Sequence, residues 1–142
     1  MGTTVRSSGG GRKPNLAKTE SSLKRLLPPG ELMGPAAISI WKTQSKILIE
    51  RGNFELEDAP LLMAYCNSFH LMLEAEKTIL AEGFTDIGGT GGLKKHPAVA
   101  VRNDCVAQLA RIGSLLGLDP LSRNRAGKVG GENSNVGEFD EF

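Results

Sequence analysis

Between Pro35 and Gly117, apolar residues return at three- and four-residue steps in three blocks, each followed by a glycine. That period belongs to the α-helix, because a half-buried strand would alternate in steps of two. The first block, Ala37, Ile40, Trp41, Gln44 and Leu48, opens at Pro35 and closes at Arg51-Gly52-Asn53. Proline suits a first helical turn, and Gly52 can take the left-handed cap conformation. After the connector Phe54-Glu55-Leu56-Glu57, Asp58 reads as an N-cap with Pro60 just inside the helix. Leu62, Tyr65, Phe69, Met72, Leu73, Ile79 and Leu80 then keep the helical period up to Glu82-Gly83. Such a helix is about 36 Å long at ~1.5 Å per residue, a long element for so short a chain.

The third block opens at His96-Pro97 and stops at Gly117. Ala98, Val101, Cys105, Leu109, Ile112 and Leu116 form one stripe; Val99, Val106, Ala110 and Leu115 form a second beside it. So wide an apolar arc needs more partners than two neighbouring helices supply, and self-association provides them. Leu62, Tyr65, Phe69, Leu73, Val101, Leu109, Ile112 and Leu116 are the candidate oligomerisation residues. The expected fold is all-α, a small domain of about three main helices over 35–117. Between the second and third blocks, Gly88-Gly89-Thr90-Gly91-Gly92 reads as a hairpin or as a mobile loop.

The 142 residues suit one domain. No apolar run approaches the roughly 18 residues of a membrane span, and the polar first twenty residues do not read as a signal peptide. Two cysteines exclude a disulfide scaffold and suggest a reducing cytoplasm.

The net charge of +1 hides an uneven distribution. Residues 1–30 carry Arg6, Arg12, Lys13, Lys18, Lys24 and Arg25 against Glu20 alone. Residues 1–34 also carry Gly9-Gly10-Gly11, Pro14 and Pro28-Pro29-Gly30, and read as a flexible basic segment. Residues 118–142 read as a turn, Leu118-Asp119-Pro120-Leu121-Ser122, followed by a flexible acidic tail. That tail ends in Phe139, Asp140, Glu141 and Phe142. Two aromatics among carboxylates suit a short docking peptide that orders on a partner.

Enzymatic chemistry is poorly supplied. The glycine run ends at Lys94-Lys95 and lacks both the Gly-Lys-Ser/Thr ending and the preceding strand of a phosphate-binding loop. Cys66 and His70 sit four apart, a spacing that can share a metal ion with Cys105 and His96, yet both cysteines fall on or beside apolar stripes, where small buried thiols are commonplace. Neither histidine has a recognisable nucleophile arrangement nearby. The expectation is a non-enzyme without metal or cofactor. The strongest physical signal is the basic head, because Arg and Lys on a pliant segment neutralise phosphates and release counterions. Lys94 and Lys95, at a helix start beside Gly92, form a second basic cluster.

The order of these features resembles the small terminase subunits of tailed double-stranded DNA phages. The resemblance is carried by Gly11-Arg12-Lys13-Pro14, by Pro35 with Ile40-Trp41, by Arg51-Gly52 before an acidic connector, and by Asp58 with Ala64-Tyr65-Cys66. It continues through Ala75-Glu76, Glu82-Gly83, Gly92-Leu93-Lys94-Lys95-His96-Pro97-Ala98 and Leu116-Gly117-Leu118-Asp119-Pro120-Leu121-Ser122-Arg123. It implies a non-enzymatic packaging component that assembles as a homo-oligomeric ring in the cytoplasm of the bacterial host. Such a component binds double-stranded viral DNA and recruits the terminase large subunit, which carries the ATPase and nuclease. DNA contact then falls to Arg6, Arg12, Lys13, Lys18, Lys24, Arg25, Lys94 and Lys95, and large-subunit docking to 139–142. The connector from Arg51 to Glu57 is longer and more acidic than a helix-turn-helix turn, so the basic head is favoured over the first two helices as the DNA element. The competing readings are a small oligomeric DNA-binding transcriptional regulator and a phage scaffold protein without a DNA role.

Overall fold

The computed structural model describes residues 23–128. Four helices, α1 (Pro35–Glu50), α2 (Ala59–Glu82), α3 (Pro97–Leu115) and α4 (Pro120–Lys128), frame one hairpin of β1 (Thr85–Ile87) and β2 (Leu93–Lys95). The three apolar blocks are helices, within a residue or two of the expected ends. The hairpin makes the chain mostly helical rather than all-α. It pairs Thr85 with Lys95, Asp86 with Lys94 and Ile87 with Leu93. Gly91, at a φ of 81°, takes the backbone conformation its turn demands.

The helix ends follow the glycine punctuation. Gly117, at a φ of 69°, closes α3 while its N–H donates to the Ser114 carbonyl and the Leu118 N–H donates to that of Gly113. This is the Schellman arrangement that satisfies otherwise orphaned carbonyls. Asp58 acts differently from expectation. Its carboxylate accepts from the Glu55 N–H at 3.0 Å in a capping box around the 3-10 turn Leu56–Asp58, and α2 itself has no side-chain cap. The acidic connector therefore folds into its own turn.

The described structure extends beyond the expected helical body of 35–117 at both ends. Asp119 accepts from the Ser122 N–H at 2.9 Å, and the chain that was expected to trail away continues as α4. At the other end, residues 23–34 form a strap on the helices. The Trp41 indole N–H donates to the Leu26 carbonyl, the Met33 N–H to Asn67 Oδ1, and the Asn67 amide to the Glu31 carbonyl. Leu32 from this strap joins Ala37, Trp41, Leu48, Phe54, Leu62 and Cys66 in the core. Its burial next to a tryptophan supplies the apolar area that orders an otherwise unstructured segment.

α2 and α3 pack most extensively, and in one constant register. Gly113 meets Tyr65, Arg102 meets Glu76 and His96 meets Glu82. Eleven residues along α2 from Tyr65 to Glu76 match eleven back along α3, and the next six match six. α1 covers only the first part of α2, since its N-terminus lies against Asn67 and His70. Beyond His70, α2 and α3 continue as a two-helix arm carrying the hairpin at its tip.

Candidate nucleic-acid interface

α1 presents its core face through Ala37, Trp41 and Leu48, and half a turn away Lys42, Lys46 and Glu50 stand in solvent. The strap crosses this second face. Held by Trp41 and by the buried Leu32, it brings Lys24 and Arg25 alongside, so that a groove of about 440 Å³ opens between strap and helix. Lys24, Arg25, Lys42 and Lys46 set its charge; Leu26, Pro28 and Ile49 are its apolar walls, with Ser45 among the lining residues. Glu50 is the lone carboxylate of the lining, at 4.0 Å from Lys46, and this exposed pair contributes little. Four cations facing one carboxylate leave a concentrated positive field in a concave surface, which focuses attraction for a polyanion.

Lys24 and Arg25 are among the expected DNA contacts; Lys42 and Lys46, which carry the other half of the groove, are not. The available signal was their four-residue spacing on the polar side of the first helix. The second expected cluster is weaker. Lys94 stands 3.9 Å from Asp86 across the hairpin, so its charge is partly offset, and Lys95 lies on the opposite strand face. The hairpin and the groove are at opposite ends of the molecule. Arg6, Arg12, Lys13 and Lys18 lie outside the described residues, as do Phe139, Asp140, Glu141 and Phe142.

The expected oligomerisation residues divide. Leu62 is 0% exposed and Ile112 is buried, so both are consumed within the protomer and are withdrawn as surface candidates. The wide arc of the second and third blocks is partly answered by packing against each other. Tyr65, Phe69, Leu73, Leu109 and Leu116 are half-buried, and Val101 is 45% exposed. The arm keeps several large apolar side chains uncovered, Leu80 at 87%, Phe84 at 72%, and Ile87 and Leu93 on the hairpin, while Leu115 and Leu121 are exposed at the other end. Ile79, Leu80, Phe84 and Val99 line an apolar groove of about 380 Å³, bordered by the Arg102–Glu76 pair at 3.3 Å.

Both cysteines are buried core residues. Burial pushes the Cys66 thiol up to about 12 and raises that of Cys105 as well. Those shifts favour the neutral thiol over the metal-binding thiolate. His70 packs its imidazole against Gly34, away from any metal set, and no cluster of three or more metal-ligating side chains occurs among the described residues. His96 caps α3: its Nδ1 accepts from the Ala98 N–H at 3.1 Å, and its Nε2 lies 2.7 Å from the Glu82 carboxylate. With Nδ1 accepting, Nε2 carries the proton and donates to Glu82.

Residues 37–133 match the family model of the phage terminase small subunit. The chain belongs to that family. No curated protein and no solved structure matches it. For a terminase small subunit the match begins inside α1 and runs past α4, so it takes in Lys42 and Lys46 but leaves out Lys24 and Arg25. Membership supports a role in phage packaging. No helix among the described residues is long and apolar enough to cross a membrane.

Proposed function

We propose that this chain is the non-enzymatic DNA-recognition and regulatory component of a phage genome-packaging motor, acting in the host cytoplasm. The observation that carries the reading is the groove of Lys24, Arg25, Lys42 and Lys46, with Arg6, Arg12, Lys13 and Lys18 preceding it in the sequence. Charged contacts of this kind bind the phosphate backbone without reading bases. Affinity then comes from counterion release and from repeating the contact on several copies. The copies associate through the exposed apolar side chains of the arm. A head-to-tail contact whose rotation closes gives a ring. The acidic-aromatic segment 139–142 is the handle by which the large subunit is recruited, and viral DNA is delivered to the ATPase and nuclease that subunit carries.

The decisive experiment is duplex DNA binding as a function of salt, with native mass measured on the same samples. The expected result is a ring-sized species whose affinity falls steeply with salt, and a shallower slope for Lys42→Gln/Lys46→Gln. A ring that ignores duplexes even at low salt favours a scaffold. A dimer that binds them favours a transcriptional regulator.

A further inference from the structure

The strap and the end of α3 converge. Lys24 and Arg25 line the same groove as Lys46, Ile49 and Glu50, near the C-terminus of α1. One residue further, the Arg51 guanidinium donates to the Gly117 carbonyl at 3.0 Å, and the chain enters α4 three residues after Gly117. α4 therefore starts at the groove's end of the molecule.

The far end of that segment matches the groove in chemistry. Glu138, Asp140 and Glu141 offer three carboxylates to four cations, and Phe139 and Phe142 offer two aromatic rings to the Leu26, Pro28 and Ile49 walls. Reach is sufficient. From Gly117 the outward path to Lys128 spans roughly 24 Å, three extended residues and a nine-residue helix. The groove begins within about 8 Å of Arg51 along α1. The eleven residues from Lys128 to Phe139 extend to about 36 Å, enough to return to the near end of the groove because α4 does not point straight away: the Ser114 and Ser122 hydroxyls meet at 3.0 Å and hold its first turn beside α3. The hairpin is the poorer host, since Lys94 already faces Asp86 and leaves Lys95 as its one cation clear of a carboxylate partner, against four cations and one carboxylate in the groove.

We propose that the segment Glu138–Phe142 docks in the groove formed by Lys24, Arg25, Lys42 and Lys46, in competition with DNA. The docked segment neutralises the groove and buries its own aromatic rings. Duplex DNA, bringing many phosphates, displaces it and frees it for the large subunit. Partner recruitment is thereby reserved for copies that already hold DNA. A tethered segment experiences an effective concentration on the order of millimolar, so a contact of sub-millimolar strength masks the groove by roughly three- to fivefold. The docking stands without DNA; the competition rests on the proposed DNA role of the groove.

Two measurements on the full chain test it. Zero-length carbodiimide cross-linking with mass spectrometry, in the absence of DNA, is expected to join Glu138, Asp140 or Glu141 to Lys24, Lys42 or Lys46. Links to Lys94, Lys95 or Lys77 at equal yield, or no links to groove lysines, overturn the docking. The triple variant Glu138→Gln/Asp140→Asn/Glu141→Gln is expected to bind a short duplex roughly three- to fivefold more tightly at low salt, with the gain fading as salt rises. Groove cross-links with unchanged duplex affinity overturn the competition. Groove cross-links in a protein that never binds duplexes overturn the DNA reading and leave the docking standing.

Discussion

The Trp41 indole donates its N–H to the Leu26 carbonyl at 3.4 Å, across fifteen residues. That contact ties the strap to α1 and so sets two cations of one segment beside two of another. A residue at the centre of the core thus determines the shape of a charged surface. Trp41→Phe keeps most of the apolar bulk and leaves the carbonyl without its donor. A bond of this kind contributes about 1 kcal/mol. The variant is expected to fold with near-native helicity and to exchange amide hydrogens faster over 23–34. It should bind duplex DNA less tightly. Unchanged exchange over the strap would show that Leu32 and the Asn67 bonds anchor it without the indole.

Charge removal in the groove has a quantitative signature. If Lys42 and Lys46 each neutralise a phosphate, Lys42→Gln/Lys46→Gln lowers the slope of log affinity against log salt by roughly 1.8 per bound protomer. The Lys94→Gln/Lys95→Gln pair should change it less. Equal losses from both pairs would assign the hairpin the same weight as the groove.

Leu80 and Phe84 protrude from the arm without support from their own protomer. Leu80→Asp/Phe84→Ser is expected to leave the thermal midpoint of the isolated chain nearly unchanged, since substitutions at exposed positions usually stay within about 0.5 kcal/mol. The same change should shrink the assembly measured by native mass. A full-sized assembly from this variant would move the contact elsewhere on α2 and α3.

The Cys66 thiol, pushed up to about 12, carries almost no thiolate at pH 8 and is buried. Iodoacetamide is expected to leave Cys66 unmodified in the native protein at that pH and to label it readily in denaturant. Fast native labelling, read by peptide mass spectrometry, would mean that the core opens on the timescale of the reaction.

Hydrogen bonds from Ser122 hold the Asp119 carboxyl below the usual carboxylate range. A depressed folded value stabilises the native state above the unfolded value near 3.9, and the contribution is lost as pH falls through the folded value. α4 is therefore expected to loosen first on acidification below about pH 4, before α2 and α3. Asp119→Ala should show the same loosening at neutral pH, seen as faster exchange over 120–128.

Helix positions were legible because the apolar period and its glycine stops are local properties. α4 was missed although Asp119-Pro120 is a capping residue followed by a first-turn proline, since no apolar stripe follows it. The strap was misread for a different reason. Leu23, Leu26 and Leu27 have the spacing of one amphipathic turn and Leu32 stands apart from them; the segment is instead extended and is ordered by meeting Trp41 and Asn67, which is a tertiary effect. The same effect concealed half of the groove: Lys42 and Lys46 read as an ordinary polar helix side until the strap lies across them. Leu62 and Ile112 were overcounted because periodicity marks which residues avoid water without saying whose surface covers them.

Gly117 sits against Arg51, at the opposite pole from the hairpin, so the molecule has a head and a foot. Copies joined side by side at the foot raise all their heads in one direction. Such an assembly cannot present the same face up and down: the grooves of Lys24, Arg25, Lys42 and Lys46 then lie toward one rim and the hairpins toward the other.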